Sequence, residues 1–474
     1  MVFNSLTFIL FFAIILSINS LPFPWSAKKI NLILGSYLFY ATWNPTFLLL
    51  LLFSTIFNWY LGRSIWQAEQ QVKRKRWLLL ALFVNLGLLG FFKYSDFFLE
   101  NAAALFGMIG IKLEPMHGGI LLPVGISFYT FQNLSYVLDI YYKRMLPAES
   151  FIDFSLWVSF FPKLIAGPIT RASEFLPQCR TLRRVSSQQL SWGLALIIIG
   201  LFEKMIIADQ IFAPVATRVF SEKGTIDVIS SWMGTLAVAG NIFYDFAGYS
   251  TCARGIALCL GFELPINFSY PYAAIGFADF WRRWHISLSS WLRDYLFFSL
   301  GGIRANRWRI YLNTIITMVL AGLWHGAAWG FIVWGALHGI YLVGERLLEK
   351  HTPLNKARRR LTGRILSVVV TFLFVCLGWV FFNAVTLQHG LKIFTSLFNF
   401  HTLTGTHLVN RYEVGIILLA SALMLILQWR MRNSSLEEFA EKIPWWATST
   451  ALAVMTILLI MVHGEERAFI YVQF

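Results

Sequence analysis

Two histidines in unlike settings carry most of the chemistry this chain has to offer. His285 sits in the run Asp279-Phe280-Trp281-Arg282-Arg283-Trp284-His285-Ile286-Ser287-Leu288-Ser289-Ser290-Trp291-Leu292-Arg293-Asp294-Tyr295. His325 sits in Gly322-Leu323-Trp324-His325-Gly326, inside a stretch without Asp, Glu, Lys or Arg from Ile310 to Gly344. Ionisable groups at membrane depth are expensive and usually mark function. An unperturbed imidazole titrates near pH 6.5, so it takes a hydroxyl proton near neutral pH. Two histidines, one in an arginine-rich polar run and one in apolar sequence, suggest a reaction at a membrane.

The remainder of the chain must hold these groups in lipid. Of 474 residues, 57% are hydrophobic and 13% charged, about half the charge of a soluble domain. The class is an all-α polytopic membrane protein, read as a single integral membrane domain over 1–474. The net charge of +15 would suggest nucleic acid on a soluble protein. Here Lys and Arg crowd into short loops, as membrane topology requires, so no nucleic-acid partner is expected. Cys179, Cys252, Cys259 and Cys376 show no metal spacing and read as small buried residues. His338 suits a structural or a site-lining role equally; the remaining histidines (His117, His351, His389, His401, His407 and His463) form no ligand set, and no metal is expected.

Apolar segments near 4–22, 30–45, 46–62, 77–92, 186–202, 228–244, 310–344, 365–384, 414–429 and 443–463 are candidate spans, with 310–344 long enough for two passes. Pro123, Pro162 and Pro168 break further apolar runs in 120–170, giving roughly ten to twelve membrane segments, some re-entrant. The uncharged stretch Met1–Ala27 lacks a signal peptide's positive start and reads as a retained first helix. Lys73-Arg74-Lys75-Arg76 and Arg358-Arg359-Arg360 place their loops in the cytoplasm, with Lys28-Lys29 on the same side.

Read as one helix, 279–295 is amphipathic. Trp281, Trp284, Leu288, Trp291 and Tyr295 fall on one face, with Arg282, His285, Ser289 and Arg293 on its neighbour. A plain interfacial anchor needs the tryptophans and arginines, but neither His285 nor paired serines. Arg282, Arg283 and Arg293 suit a phosphate-bearing substrate or, equally, lipid phosphates. Lys163 and Arg171 carry the same two readings. Asp209 suits a basic partner, and Asp245 is a further polar partner. His338 lies on a different face from His325, about 140° away, unless the helix breaks between them.

At these residues the chain resembles the membrane-bound O-acyltransferase family, in particular the bacterial branch containing the membrane subunit of alginate O-acetyltransferase. The resemblance also covers Leu122-Pro123-Val124-Gly125-Ile126-Ser127-Phe128-Tyr129-Thr130-Phe131-Gln132, Phe161-Pro162-Lys163-Leu164-Ile165-Ala166-Gly167-Pro168-Ile169, Gly261-Phe262-Glu263-Leu264-Pro265, Gly301-Gly302 and Phe469-Ile470-Tyr471-Val472-Gln473-Phe474. The resemblance implies tilted and re-entrant helices around a tunnel. It implies movement of an acyl group from a cytoplasmic thioester, acetyl-coenzyme A, toward hydroxyls of an exported polysaccharide such as alginate. His325 would be the catalytic histidine and His285 the histidine of the arginine-rich helix. Arg282, Arg283, Ser289, Arg293 and Trp324 are the candidate substrate contacts, and Trp324 and Trp329 would wall out water. No bound cofactor is expected. Extracytoplasmic acetyltransferase proteins would complete the transfer, and the location would be a bacterial inner membrane. D-alanyl or acetyl transfer to teichoic acid or peptidoglycan is the alternative, with a transporter or flippase as a third reading. One motif departs from the branch: Gly248-Tyr249-Ser250 is followed by Thr251-Cys252, where an acidic residue is usual.

Overall fold

The structure is a computed structural model that describes residues 1–111, 121–358, 360–400 and 407–462. His117, His401, His463, Arg359 and the motif Phe469–Phe474 lie outside the described residues. Helices of α, 3₁₀ and π type make up the fold, and no strand occurs among the described residues. Two compact units are present. The first comprises Met1–Leu194 and Ala253–Pro265; the second comprises Ala195–Cys252 and Ile266–Phe474.

The first unit begins with α1 (Leu6–Ser20), α2 (Trp25–Ala41), α3 (Pro45–Gln67), α4 (Gln71–Leu89) and α5 (Ser95–Met108), the last two joined by a π turn at Gly90–Tyr94. It continues with α6 (Ile126–Tyr141), α7 (Phe151–Ser159), α8 (Phe161–Leu164) and α9 (Ala172–Arg180). Helices α3, α4 and α6 pack on one another. Their seam holds polar side chains: Asn58 and Asn85 exchange bonds of 3.1 and 2.8 Å, and Asn133 donates to Ser54 Oγ at 2.9 Å. Lipid tails give apolar side chains no reason to prefer a helix seam, so such bonds help to fix partners. Apolar residues instead face outward, as Phe83 does with 77% exposure. Lys163 is fully buried, with its Nζ over the rings of Trp157 and Phe175 at 5.4 and 5.2 Å. Two aromatic rings, rather than an acid, are therefore the neighbours of this amine.

α10 (Ser187–Phe202) leads through a π-helical run, Glu203–Phe212, into α11 (Ala213–Ser221) and then α12 (Val228–Cys259). In the second unit Lys204 pairs with both Asp209, at 2.8 Å, and Asp245. The two acids that the sequence left seeking partners therefore share one buried lysine. The site region is built from α13 (Phe277–Arg283), α14 (Ile286–Trp291), α15 (Arg307–His325), α16 (Trp329–His351), α17 (Leu354–Ala357), α18 (Leu361–Asn383), α19 (Leu387–Ser396) and α20 (Arg411–Met431). The stretch 310–344, expected to make two passes, forms two helices, α15 and α16, which pack along each other; of these only α16 is long and apolar enough to cross a membrane. Their approach depends on Gly322: a Cβ there would collide with the Phe331 carbonyl of α16.

Among the described residues, six helices are long and apolar enough to cross a membrane: 45–67, 71–108, 187–221, 329–351, 361–383 and 411–431. Leu6–Ser20 and Trp445–Met461 are apolar but shorter. All four cysteines are buried, as expected.

Candidate functional site

The single amphipathic helix expected over 279–295 is not formed. α13 ends at Arg283, Trp284 is extended, and His285 takes a left-handed conformation with φ 41° and ψ 56° before α14 begins. The periodicity then changes again, to a π turn over Leu292–Phe297. A left-handed non-glycine residue costs about 1–2 kcal/mol and persists only where its surroundings over-determine it. Those surroundings are a short loop. Ser269 N donates to the Arg283 carbonyl at 3.0 Å, and Ile286 N donates to the Asn267 carbonyl at 2.9 Å. The buried Asn267 side chain accepts from Ser287 Oγ at 2.9 Å and donates to Ser250 Oγ on α12 at 3.3 Å. The break re-aims His285 away from the face a continuous helix would give it.

It aims His285 at the end of α15. The rings of His285 and His325 have centroids 6.2 Å apart, and Trp324 lies 5.7 Å from His285 and 5.0 Å from His325. Both histidines are buried, at 0% and 3% exposure. Phe246 of α12 meets His285 edge-on at 4.7 Å. Trp334 of α16 and Phe382 of α18 each meet His325 edge-on at 5.2 Å. The result is a pair of imidazoles in an aromatic chamber assembled from four helices (α12, α15, α16 and α18) and the turn before α14.

The chain does break between His325 and His338, at Gly326–Ala328, so both histidines can face one wall. Trp334 is that wall, with its ring also 4.9 Å from His338. His338 is boxed by Phe280 and Trp281 at 5.8 and 5.2 Å, and its ring nitrogens make no hydrogen bond among the described residues. Trp329, expected to exclude water, is instead 51% exposed. Trp334, Phe382 and Phe246 instead pack against the two imidazoles. Their signal in the sequence is weak, because aromatic residues are abundant and these three come from three separate helices.

The structure brings His285, His325 and Trp324 together and distributes the other candidates. Ser289 and Arg293 line a cavity of about 180 Å³ with Trp281, Thr317 and Met318. Trp281, which lines that cavity, packs on Trp334 at 5.7 Å. Arg293 is mostly exposed and pairs with Asp294 at 2.7 Å. Arg282 projects outward with 71% of its side chain exposed. Arg283 is consumed internally: Nε donates to Asp279 at 3.0 Å, and Nη1 donates to the carbonyls of Ser269 and Arg432, each at 3.0 Å. Asp279 also receives Arg432 at 2.6 Å and the Ile275 amide at 2.9 Å. Burial opposes its ionisation, but the Ile275 amide, Arg432 and Arg283 outweigh burial and hold the carboxyl below its ordinary range. Arg283 thus anchors α13 to the end of α20, a role that the sequence could not separate from phosphate binding.

The family model for MBOAT, the membrane-bound O-acyltransferase family, matches residues 32–388, which include both histidines and the whole chamber wall. The chain belongs to this family and is an acyltransferase. It is 35% identical to a peptidoglycan O-acetyltransferase of Helicobacter pylori, over 94% of this chain and 91% of that one. It is 39% identical to a probable alginate O-acetylase of Azotobacter vinelandii, over 90% and 83% of the two chains. A teichoic acid D-alanyltransferase of Streptococcus thermophilus is 29% identical over 60% of this chain and 75% of its own.

Proposed function

We propose that this chain moves an acetyl group from acetyl-coenzyme A, taken from the cytoplasm, across the membrane for O-acetylation of an exported polysaccharide, with His325 as the base. The observation that carries the reading is the buried pairing of His325 with His285 inside the aromatic chamber. In the transfer, His325 takes the proton of the attacking hydroxyl as its oxygen bonds to the acetyl carbonyl carbon. The tetrahedral intermediate collapses by breaking the carbon–sulfur bond. The proton then passes from the imidazolium to the departing thiolate, which leaves as the coenzyme A thiol. His285 orients the reacting group from the opposite side. Exclusion of water by Trp334, Phe382 and Phe246 protects the thioester from hydrolysis.

The acceptor class follows from the relatives. An alginate-like polysaccharide fits the alginate O-acetylase relative, and peptidoglycan fits the relative from Helicobacter pylori that aligns along nearly the full chain. The protein works in the bacterial plasma membrane, with extracytoplasmic acetyltransferase proteins receiving the acetyl group for final delivery. Inside-out membrane vesicles given acetyl-coenzyme A labelled in the acetyl group test donor and acceptor together. The reading requires label in base-labile esters of exported polysaccharide or of muropeptides, and which of the two carries it names the acceptor. Label transfer that needs a carrier-bound D-alanine and ignores acetyl-coenzyme A would overturn it.

A further inference from the structure

The first unit contains a cavity of about 710 Å³ that acyl transfer at the histidines does not use. It lies among the end of α1, the start of α2 and the segment joining α9 to α10. Its lining is chemically divided. Leu16, Leu21 and Leu190 give apolar walls, while Lys28, Arg183 and Arg184 supply three cations and no acid lines the space. None of the three cations has an ion pair among the described residues; Arg183 Nε donates to the Gln178 carbonyl at 3.4 Å. Asn19 also lines the cavity. It is 7% exposed, and its Oδ1 accepts no hydrogen bond among the described residues. A buried, unfilled acceptor is uncommon and calls for a donor.

The placement fits a lipid headgroup. An apolar helix ends at Ser20, and Lys28 follows in the next helix, so the cations stand where a membrane segment gives way to its polar edge. Basic pockets at such edges hold the phosphates of anionic lipids. We propose that this cavity binds an anionic phospholipid whose headgroup carries a hydroxyl, such as a phosphoglycerol lipid. The phosphate meets Lys28, Arg183 and Arg184. A headgroup hydroxyl donates to Asn19 Oδ1. An acyl chain runs along Leu16, Leu21 and Leu190.

The test uses the full chain in nanodiscs of phosphatidylcholine containing a minority of phosphatidylglycerol or of phosphatidic acid, with retained lipid counted by native mass spectrometry. Wild type is expected to retain phosphatidylglycerol over both other lipids. Each cation changed to Gln should weaken retention roughly fivefold, and Lys28→Gln with Arg183→Gln and Arg184→Gln on the order of a hundredfold. Asn19→Leu should abolish the preference for phosphatidylglycerol over phosphatidic acid while keeping the preference for anionic lipid. The exposed Arg184→Gln variant alone decides the question if the triple variant does not fold. Equal retention of phosphatidylcholine, or a preference that survives loss of the cations, would overturn the proposal. So would displacement of the lipid by coenzyme A or inorganic phosphate, which would assign the cavity to soluble phosphates. No arm of the test depends on acyl transfer.

Discussion

Replacing Asn267 with Ala should slow transfer through His285 alone. Asn267 touches neither histidine, yet its side chain ties Ser287 to α12 and its carbonyl receives the Ile286 amide. The Ala variant keeps the carbonyl and loses the Ser287 Oγ bond of 2.9 Å together with the weaker bonds to the Ser287 amide at 3.4 Å and to Ser250 at 3.3 Å. Loss of such buried bonds costs about 1–2 kcal/mol. That equals the roughly 1–2 kcal/mol by which a left-handed conformation such as that of His285 is disfavoured, so the loss is large enough to release the residue. If the whole cost falls on the transition state, the rate drops about five- to thirtyfold. The assay is the rate of acetyl transfer per folded molecule in vesicles, in wild-type and His285→Ala backgrounds. Asn267→Ala should slow the wild type and add nothing once His285 is gone. Asn267→Asp, which keeps the acceptor for Ser287, should retain most of the rate. An equal fold-loss in both backgrounds would refute the positioning argument.

Asp279→Asn removes the carboxylate shared by Arg283 and Arg432 and should lower the thermal midpoint, since breaking a buried ion pair costs about 3–5 kcal/mol. The folded carboxyl titrates below its unfolded value of about 3.9, so this stabilisation is fully present above that value and disappears as pH falls through the lower folded value. The difference between wild type and variant should therefore be constant from neutral pH to about pH 5 and shrink in stronger acid; a difference that grows on acidification would contradict the assignment. Trp334→Leu opens the wall beside His325 and should raise acetyl-coenzyme A hydrolysis while lowering transfer, read as free acetate against esterified acetate. Gly322→Val should collapse the yield of monodisperse protein by driving α15 from α16, whereas Gly344→Ala, with nothing within 4 Å of the added carbon, should be neutral or gain up to about 1 kcal/mol.

Much of this was legible in the residues. Long apolar runs gave the helices, and the charge-free stretch from Ile310 to Gly344 divided into two helices because Gly326 and the residues after it leave the helix. His325 stood out because a lone imidazole in an apolar segment needs a reason. The helical wheel over 279–295 failed for a definite cause. Local periodicity was strong, but pairing of Asn267 and Ser269 with Ile286 and Arg283 overrode it at His285. Long-range backbone pairing leaves no mark in a local pattern. The fates of the arginines were hidden for a similar reason. Arg282 and Arg283 are neighbours in sequence, yet one is exposed and the other is held by Asp279 and two carbonyls contributed from distant segments.

The central claim is that His325 is the base of an acetyl transfer. The direct measurement is acetyl transfer from labelled acetyl-coenzyme A in vesicles containing equal amounts of wild type and His325→Ala, with folding matched by thermal unfolding. A lost general base predicts a rate lower by about 10²- to 10⁴-fold, with donor binding retained. Transfer by the folded His325→Ala protein at the wild-type rate would contradict the account.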